Sequence, residues 1–76
     1  MKDLLYYIVN ALVDHPEAIV IKEVQKENEL ILELTLDPSD MGKVIGRQGR
    51  IAKAIRTLVK TAAIRENIRV NVDIKN

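Results

Sequence analysis

Hydrophobic positions change their period several times along this chain, and each change marks an element. Leu4, Leu5, Ile8, Val9 and Leu12 recur at helical spacing between Asp3 and Asp14, with Pro16 beyond them as a stop signal, which predicts a first helix over 3–14. Residues 18–26 are rich in Ile and Val, and residues 29–36 alternate. Leu30, Leu32, Leu34 and Leu36 share one face of that second run, and Ile31, Glu33 and Thr35 share the other. Leucine favours helices, but the period of two and the turn residues Lys26-Glu27-Asn28 decide for two strands joined as a hairpin.

Asp37-Pro38-Ser39-Asp40 has the form of a helix start, with Asp37 as cap, Pro38 at the first helical position and Asp40 favouring the positive end of the dipole. A short helix is expected from there to Ile45. A longer one follows Gly49, with Ile51, Ile55, Leu58, Val59 and Ala62 on a buried face and Lys53, Arg56 and Lys60 on the opposite, basic one. Finally Ile68, Val70, Val72 and Ile74 alternate with Arg69, Asn71, Asp73 and Lys75, a third strand with one buried face. These apolar faces are all buried only if the helices cover one side of a three-stranded sheet, an α+β architecture. The hairpin strands pair antiparallel. The third arrives through a two-helix crossover, so a parallel pairing and hence a mixed sheet are expected.

Composition narrows the class. Seventy-six residues leave room for one domain spanning 1–76, and such a chain buries only about 60–65% of the surface it exposes when unfolded. A hydrophobic share of 47% beside 30% charged residues marks an ordered domain rather than a disordered tail. No cysteine is present, which excludes disulfides and thiolate metal sites and favours a reducing compartment. The N-terminus lacks a signal-peptide core, and no apolar run approaches the roughly 20 residues of a membrane span, so a cytoplasmic chain with no membrane partner is expected.

The net charge is only +1, yet its distribution is uneven. From Gly42 to Arg65 the chain carries Lys43, Arg47, Arg50, Lys53, Arg56, Lys60 and Arg65 and no acidic residue, the kind of local footprint that polyanions find. All three glycines, Gly42, Gly46 and Gly49, fall at the start of that stretch. Gly46 stands where a left-handed residue lets a chain leave a helix, and Gly49 where the next helix begins with unpartnered amides at the positive end of its dipole. With no side chain at either glycine, a phosphodiester backbone can approach closely, while Arg47 supplies charge and Gln48 a hydrogen-bond donor. A P-loop and a dinucleotide fingerprint fit less well, since the first needs Ser or Thr after Gly-Lys and the second a strand directly before the glycines. A helix-turn-helix binding duplex DNA shares the outline of two helices and a glycine turn; the flanking sheet weighs against it.

Gly42-Lys43-Val44-Ile45-Gly46-Arg47-Gln48-Gly49-Arg50, set between a hairpin and a helix-strand unit, resembles the Ile-Gly-X-X-Gly signature of a type II KH domain. Chain length and element order resemble the small bacterial KH-domain RNA-binding proteins of the KhpA type, over essentially the whole sequence. The resemblance implies an α-β-β-α-α-β fold and a loop that clamps the backbone of single-stranded RNA. It also implies a role as post-transcriptional regulator or RNA chaperone, and pairing as a homodimer or as a heterodimer with a larger KH-containing protein. On this chain Gly46, Arg47, Gln48 and Gly49 would grip the sugar-phosphate backbone, with Lys43 and Arg50 flanking. Val44, Ile45 and Ile51 would help build an aliphatic groove for the bases, and Lys53 is the cation of the next helix nearest the loop. The basic face of Lys53, Arg56 and Lys60 is either a solvated face or a further RNA contact. The absence of Trp and Phe agrees with a groove that does not depend on aromatic stacking.

Other polar residues have structural readings. His15 sits at a helix end, in a capping or a solvated role, Tyr6 and Tyr7 point one inward and one outward, and Glu27 and Glu29 sit at a hairpin turn without the pairing of acid-base chemistry. With one histidine and no nucleophile-base grouping, neither catalysis nor a metal, cofactor or small-molecule substrate is expected. The rival to RNA binding is an adaptor whose main business is association with another KH protein.

Overall fold

In the computed structural model, which describes residues 1–75, the first helix, α1, spans Lys2–Asn10. It ends four residues before the expected Asp14. Both Leu12 N–H (2.9 Å) and Val13 N–H (3.2 Å) donate to the Val9 carbonyl, which tightens the chain and turns it off the helix axis. Pro16 therefore does not stop a helix; it opens a separate 3-10 turn, Pro16–Ala18. That turn takes up Ala18, and the first strand, β1, begins later than expected, at Val20–Lys26.

The second strand, β2, covers Glu29–Thr35 and pairs antiparallel with β1, from Val20 opposite Thr35 to Lys26 opposite Glu29. The third strand, β3, covers Val70–Lys75 and lies parallel to β2, from Leu30 opposite Val70 to Thr35 opposite Lys75. The order is β1-β2-β3. A central strand is covered on both edges, which accounts for the leucine-rich run at β2: Leu32 and Leu34 are fully buried, each contributing roughly 1.5–3 kcal/mol over exposure.

Between β2 and β3 come a 3-10 turn, Pro38–Asp40, a short helix, α2, at Met41–Ile45 and a long helix, α3, at Arg50–Arg65. The Asp37 carboxylate caps the first of these as expected, accepting from Ser39 N–H (2.9 Å) and Ser39 Oγ (2.7 Å). At the other end of α3, Asn67 takes a left-handed conformation (φ 60°), and Ile68 N–H donates to the Ala63 carbonyl at 3.0 Å. This C-terminal turn holds Ile68 outside the sheet, so the expected inward position of Ile68 is not realised and β3 starts two residues later.

The core joins Leu5 and Val9 of α1, Ile21 of β1, Leu32 and Leu34 of β2 with Leu36 beyond it, Val44 of α2, Ile55, Val59 and Ala63 of α3, and Val70 and Val72 of β3. On α3 the buried stripe is rotated from the expected one. Ala52, Ile55, Val59 and Ala63 face inward, while Leu58 is 56% exposed, Ile51 is 37% exposed and Ala62 is half-buried. Periodicity follows bulky residues, but a helix lying close on a sheet turns small ones toward it. The same rotation removes Arg56 from the solvated face shared by Lys53 and Lys60. Arg56 is half-buried, and its Nε donates to the Val72 carbonyl at 3.2 Å, tying α3 to β3.

Candidate nucleic-acid interface

The glycine segment forms the corner between α2 and α3. Gly46 N–H closes the last turn of α2 on the Gly42 carbonyl at 2.9 Å. Gly46 then adopts φ 75°, ψ 176°, a region in which a side chain is strongly disfavoured. The expectation of a left-handed helix exit is correct in the sign of φ and wrong in the residue that is helical. The left-handed pair is Gln48 (φ 56°, ψ 25°) and Gly49 (φ 75°, ψ 14°), which carry the chain round into α3.

Three backbone hydrogen bonds hold the corner: Gly46 N–H to Gly42, Gly49 N–H to Gly46 at 3.2 Å, and Arg50 N–H to the Arg47 carbonyl. None of them uses the N–H of Arg47 or Gln48. Both of these side chains are exposed at the tip, and so is that of Arg50. The glycines differ in what surrounds them. A Cβ at Gly46 would meet Ile51 Cγ1 at 2.6 Å, whereas a Cβ at Gly49 would meet nothing within 4 Å. Gly46 is thus required by packing as well as by dihedral, and Gly49 by dihedral alone. Space around Gly42 is also open, and nothing in the structure requires glycine there.

Of the other candidate residues, Val44 is fully buried and serves the core rather than a groove wall. Ile45 is half-buried, Ile51 lies over Gly46, and Lys53 is exposed near the start of α3. Lys43 is exposed, but its side chain is directed toward the chain that follows α1. Its ammonium donates to the Asp14 carboxylate and lies 3.5 Å from Asp40 Oδ1. The hydrogen bond to Asp14, reinforced by the charges of Asp14 and Asp40, outweighs desolvation and raises its pKa above the ordinary lysine range. Arg47 and Arg50 stand exposed at the loop with Lys53 behind them, and Lys43 is paired with Asp14.

Asp40, legible in the sequence only as a dipole partner, makes a contact that sequence reasoning missed. It sits 1% exposed at the start of α2, and its carboxylate accepts Asp14 N–H (3.1 Å) and His15 N–H (2.9 Å) from the chain after α1. Burial by itself would raise its pKa; the two amide hydrogen bonds and the charge of Lys43 prevail, and it lies below the usual carboxylate range. Asp40 keeps its expected place at the start of α2 and adds this long-range contact, whereas His15 lies beyond the end of α1, exposed, in the solvated role. The imidazole Nδ1 of His15 lies 3.4 Å from Glu17 Oε2. No local pattern announces such a contact, because its donors are main-chain groups.

Among the described residues no group of three or more His, Asp or Glu is placed to hold a metal ion, and no helix is long and apolar enough to cross a membrane. The family model for the KhpA/KhpB KH domain matches residues 2–74. The RNA-binding protein KhpA of Clostridium perfringens is 60% identical over 74 residues, covering 97% of this chain and 99% of that protein. KhpA of Clostridium acetobutylicum is 58% identical over the same shares of the two chains. KhpA of Chlamydia muridarum is 51% identical over 97% of this chain and 95% of its own length.

Proposed function

This chain belongs to the KhpA/KhpB family of KH-domain proteins, and on that premise we propose that it binds single-stranded RNA through the corner between α2 and α3. The observation that carries this reading is the corner itself. At Arg47 and Gln48 two main-chain N–H groups, unused by the turn's own hydrogen bonds, sit beside two exposed arginines. Phosphate oxygens take such donors, and Arg47 and Arg50 offset their charge. Ile45 and Ile51 offer apolar contact to a base next to the loop. The role is binding rather than catalysis, and post-transcriptional regulation or RNA chaperoning is its cellular expression.

Pairing with a second copy or with a larger KH-containing protein belongs to the same proposal. Exposed apolar side chains away from the loop, Tyr7 on α1 and Leu58 on α3, support it. Replacing Arg47 and Gln48 together with Asp tests both parts. Affinity for an unstructured oligoribonucleotide should be abolished while self-association, read from the solution mass, persists. Unchanged RNA affinity in that variant would refute the loop as the binding site.

A further inference from the structure

We infer that Asp40 is a positioning residue for the RNA-binding corner, a buried latch that fixes α2, and with it the Gly46–Gly49 turn, against the chain that follows α1. The inference rests on the RNA-binding reading above.

The short helix α2 has only five residues, Met41–Ile45, too few to hold its own conformation in water. Its internal hydrogen bonds nevertheless leave it little freedom to bend. Asp40 N–H donates to the Asp37 carbonyl at 2.9 Å, Met41 N–H to Pro38 and Gly46 N–H to Gly42. From Pro38 to Gly46 the segment behaves as one rigid piece, and what must be fixed is its orientation on the core. The buried Val44 and the half-buried Met41 give one seat on the core, an apolar contact that is not directional. The second point is Asp40, whose two carboxylate oxygens each take a separate main-chain N–H, Asp14 on Oδ1 and His15 on Oδ2. Two consecutive amides on two oxygens of one planar group set the rotation of that group as well as its place. Lys43, one turn further along α2, adds a third contact by pairing with Asp14.

The early end of α1 now has a use. The turn at Ala11 and Leu12 and the bend at Asp14 present the N–H groups of Asp14 and His15 to the carboxylate. A direction error at Asp40 is carried through the rigid segment to the Arg47 and Gln48 amides. The latch therefore acts on affinity without touching the ligand.

The test compares Asp40→Asn, which retains shape but places an amide NH2 against a main-chain N–H, with Val70→Ala, a core truncation at the start of β3. Both variants lose stability. Affinity for an unstructured oligoribonucleotide is measured well below both melting temperatures, together with the amide resonances of residues 46–49 in the unliganded proteins. Asp40→Asn should weaken binding roughly tenfold, the scale of one lost hydrogen bond, and shift those resonances. Val70→Ala should stay within about twofold and leave them in place. If Asp40→Asn does not fold, Asp40→Ser, which retains an acceptor, takes its place. Equal affinities and equal loop resonances in the two variants would overturn the latch. If the unaltered protein binds no RNA, the functional reading fails, and the resonances alone then judge the latch.

Discussion

Ile51 lies directly over Gly46, so that a Cβ added to the glycine would stand 2.6 Å from Ile51 Cγ1 and 2.9 Å from its Cβ. The second residue of α3 thus closes on the glycine that caps α2. This contact holds the corner shut from one side, as the left-handed Gln48 and Gly49 turn it from the other.

Gly46→Ala should cost roughly 2–4 kcal/mol, combining the positive φ with overpacking against Ile51. That is a large share of the 4–11 kcal/mol on the order of which a domain of this size is stable. Gly49→Ala, with open space around it, should lose only about 1–2 kcal/mol. Urea denaturation of the two variants checks the difference. Adding Ile51→Ala to Gly46→Ala should recover the overpacking part and not the dihedral part.

Adjacent positions on α3 should respond in opposite ways. Val59 is fully buried and Leu58 is 56% exposed, so Val59→Ala should lose about 2 kcal/mol or more, while Leu58→Lys, in protein dilute enough to be monomeric, should stay within about 0.5 kcal/mol. Thermal melts of both variants test the rotation of the helix. Equal losses would contradict it.

Arg56 should matter for stability and Lys53 should not. Arg56→Met gives up the hydrogen bond to the Val72 carbonyl and should lose about 1 kcal/mol; Lys53→Met should leave the melting temperature unchanged. In RNA titrations the ranking should reverse. Lys53→Met is expected to lower affinity modestly with Arg56→Met near the unaltered value.

Salt dependence separates charge from shape at the loop. Removing one phosphate contact with Arg47→Ala should reduce the slope of log K against log salt by about 0.7, the single-strand value per phosphate. Gly49→Ala should lower affinity with the slope unchanged, because it alters backbone conformation and no charge.

Stability should fall at both ends of the pH range. The carboxyls of Asp37, through its hydrogen bonds from Ser39, and of Asp40, where the amide bonds overcome burial, have folded pKa values below their unfolded ones. Their contribution is present above the unfolded value near 4 and is lost as pH drops through the folded one. The amines of Lys43 and Lys75, raised chiefly by hydrogen bonds to Asp14 and Glu33, contribute below the unfolded lysine value and lose that contribution as pH rises through the folded one. Melting temperature followed from pH 2 to 7 should show the acid decline, and it should be shallower in Asp40→Asn.

Period and punctuation act over a few residues, so residue order alone was enough for the six elements, the hairpin, the Asp37 cap and the glycine corner with its exposed cations. The parallel third strand also followed, since two intervening helices leave no short return. Contacts between distant segments did not follow. Asp40 reads locally as a dipole partner, yet its donors lie 25 and 26 residues earlier, and Arg56 reads as a solvated cation until its acceptor, 16 residues on, is brought beside it. The face of α3 was misjudged because hydrophobicity ranks Leu58 above Ala52 and Ala63, whereas dense packing of a helix on a sheet selects by volume. Which side chain meets which main-chain group across the core is settled by that packing, and no window along the chain contains it.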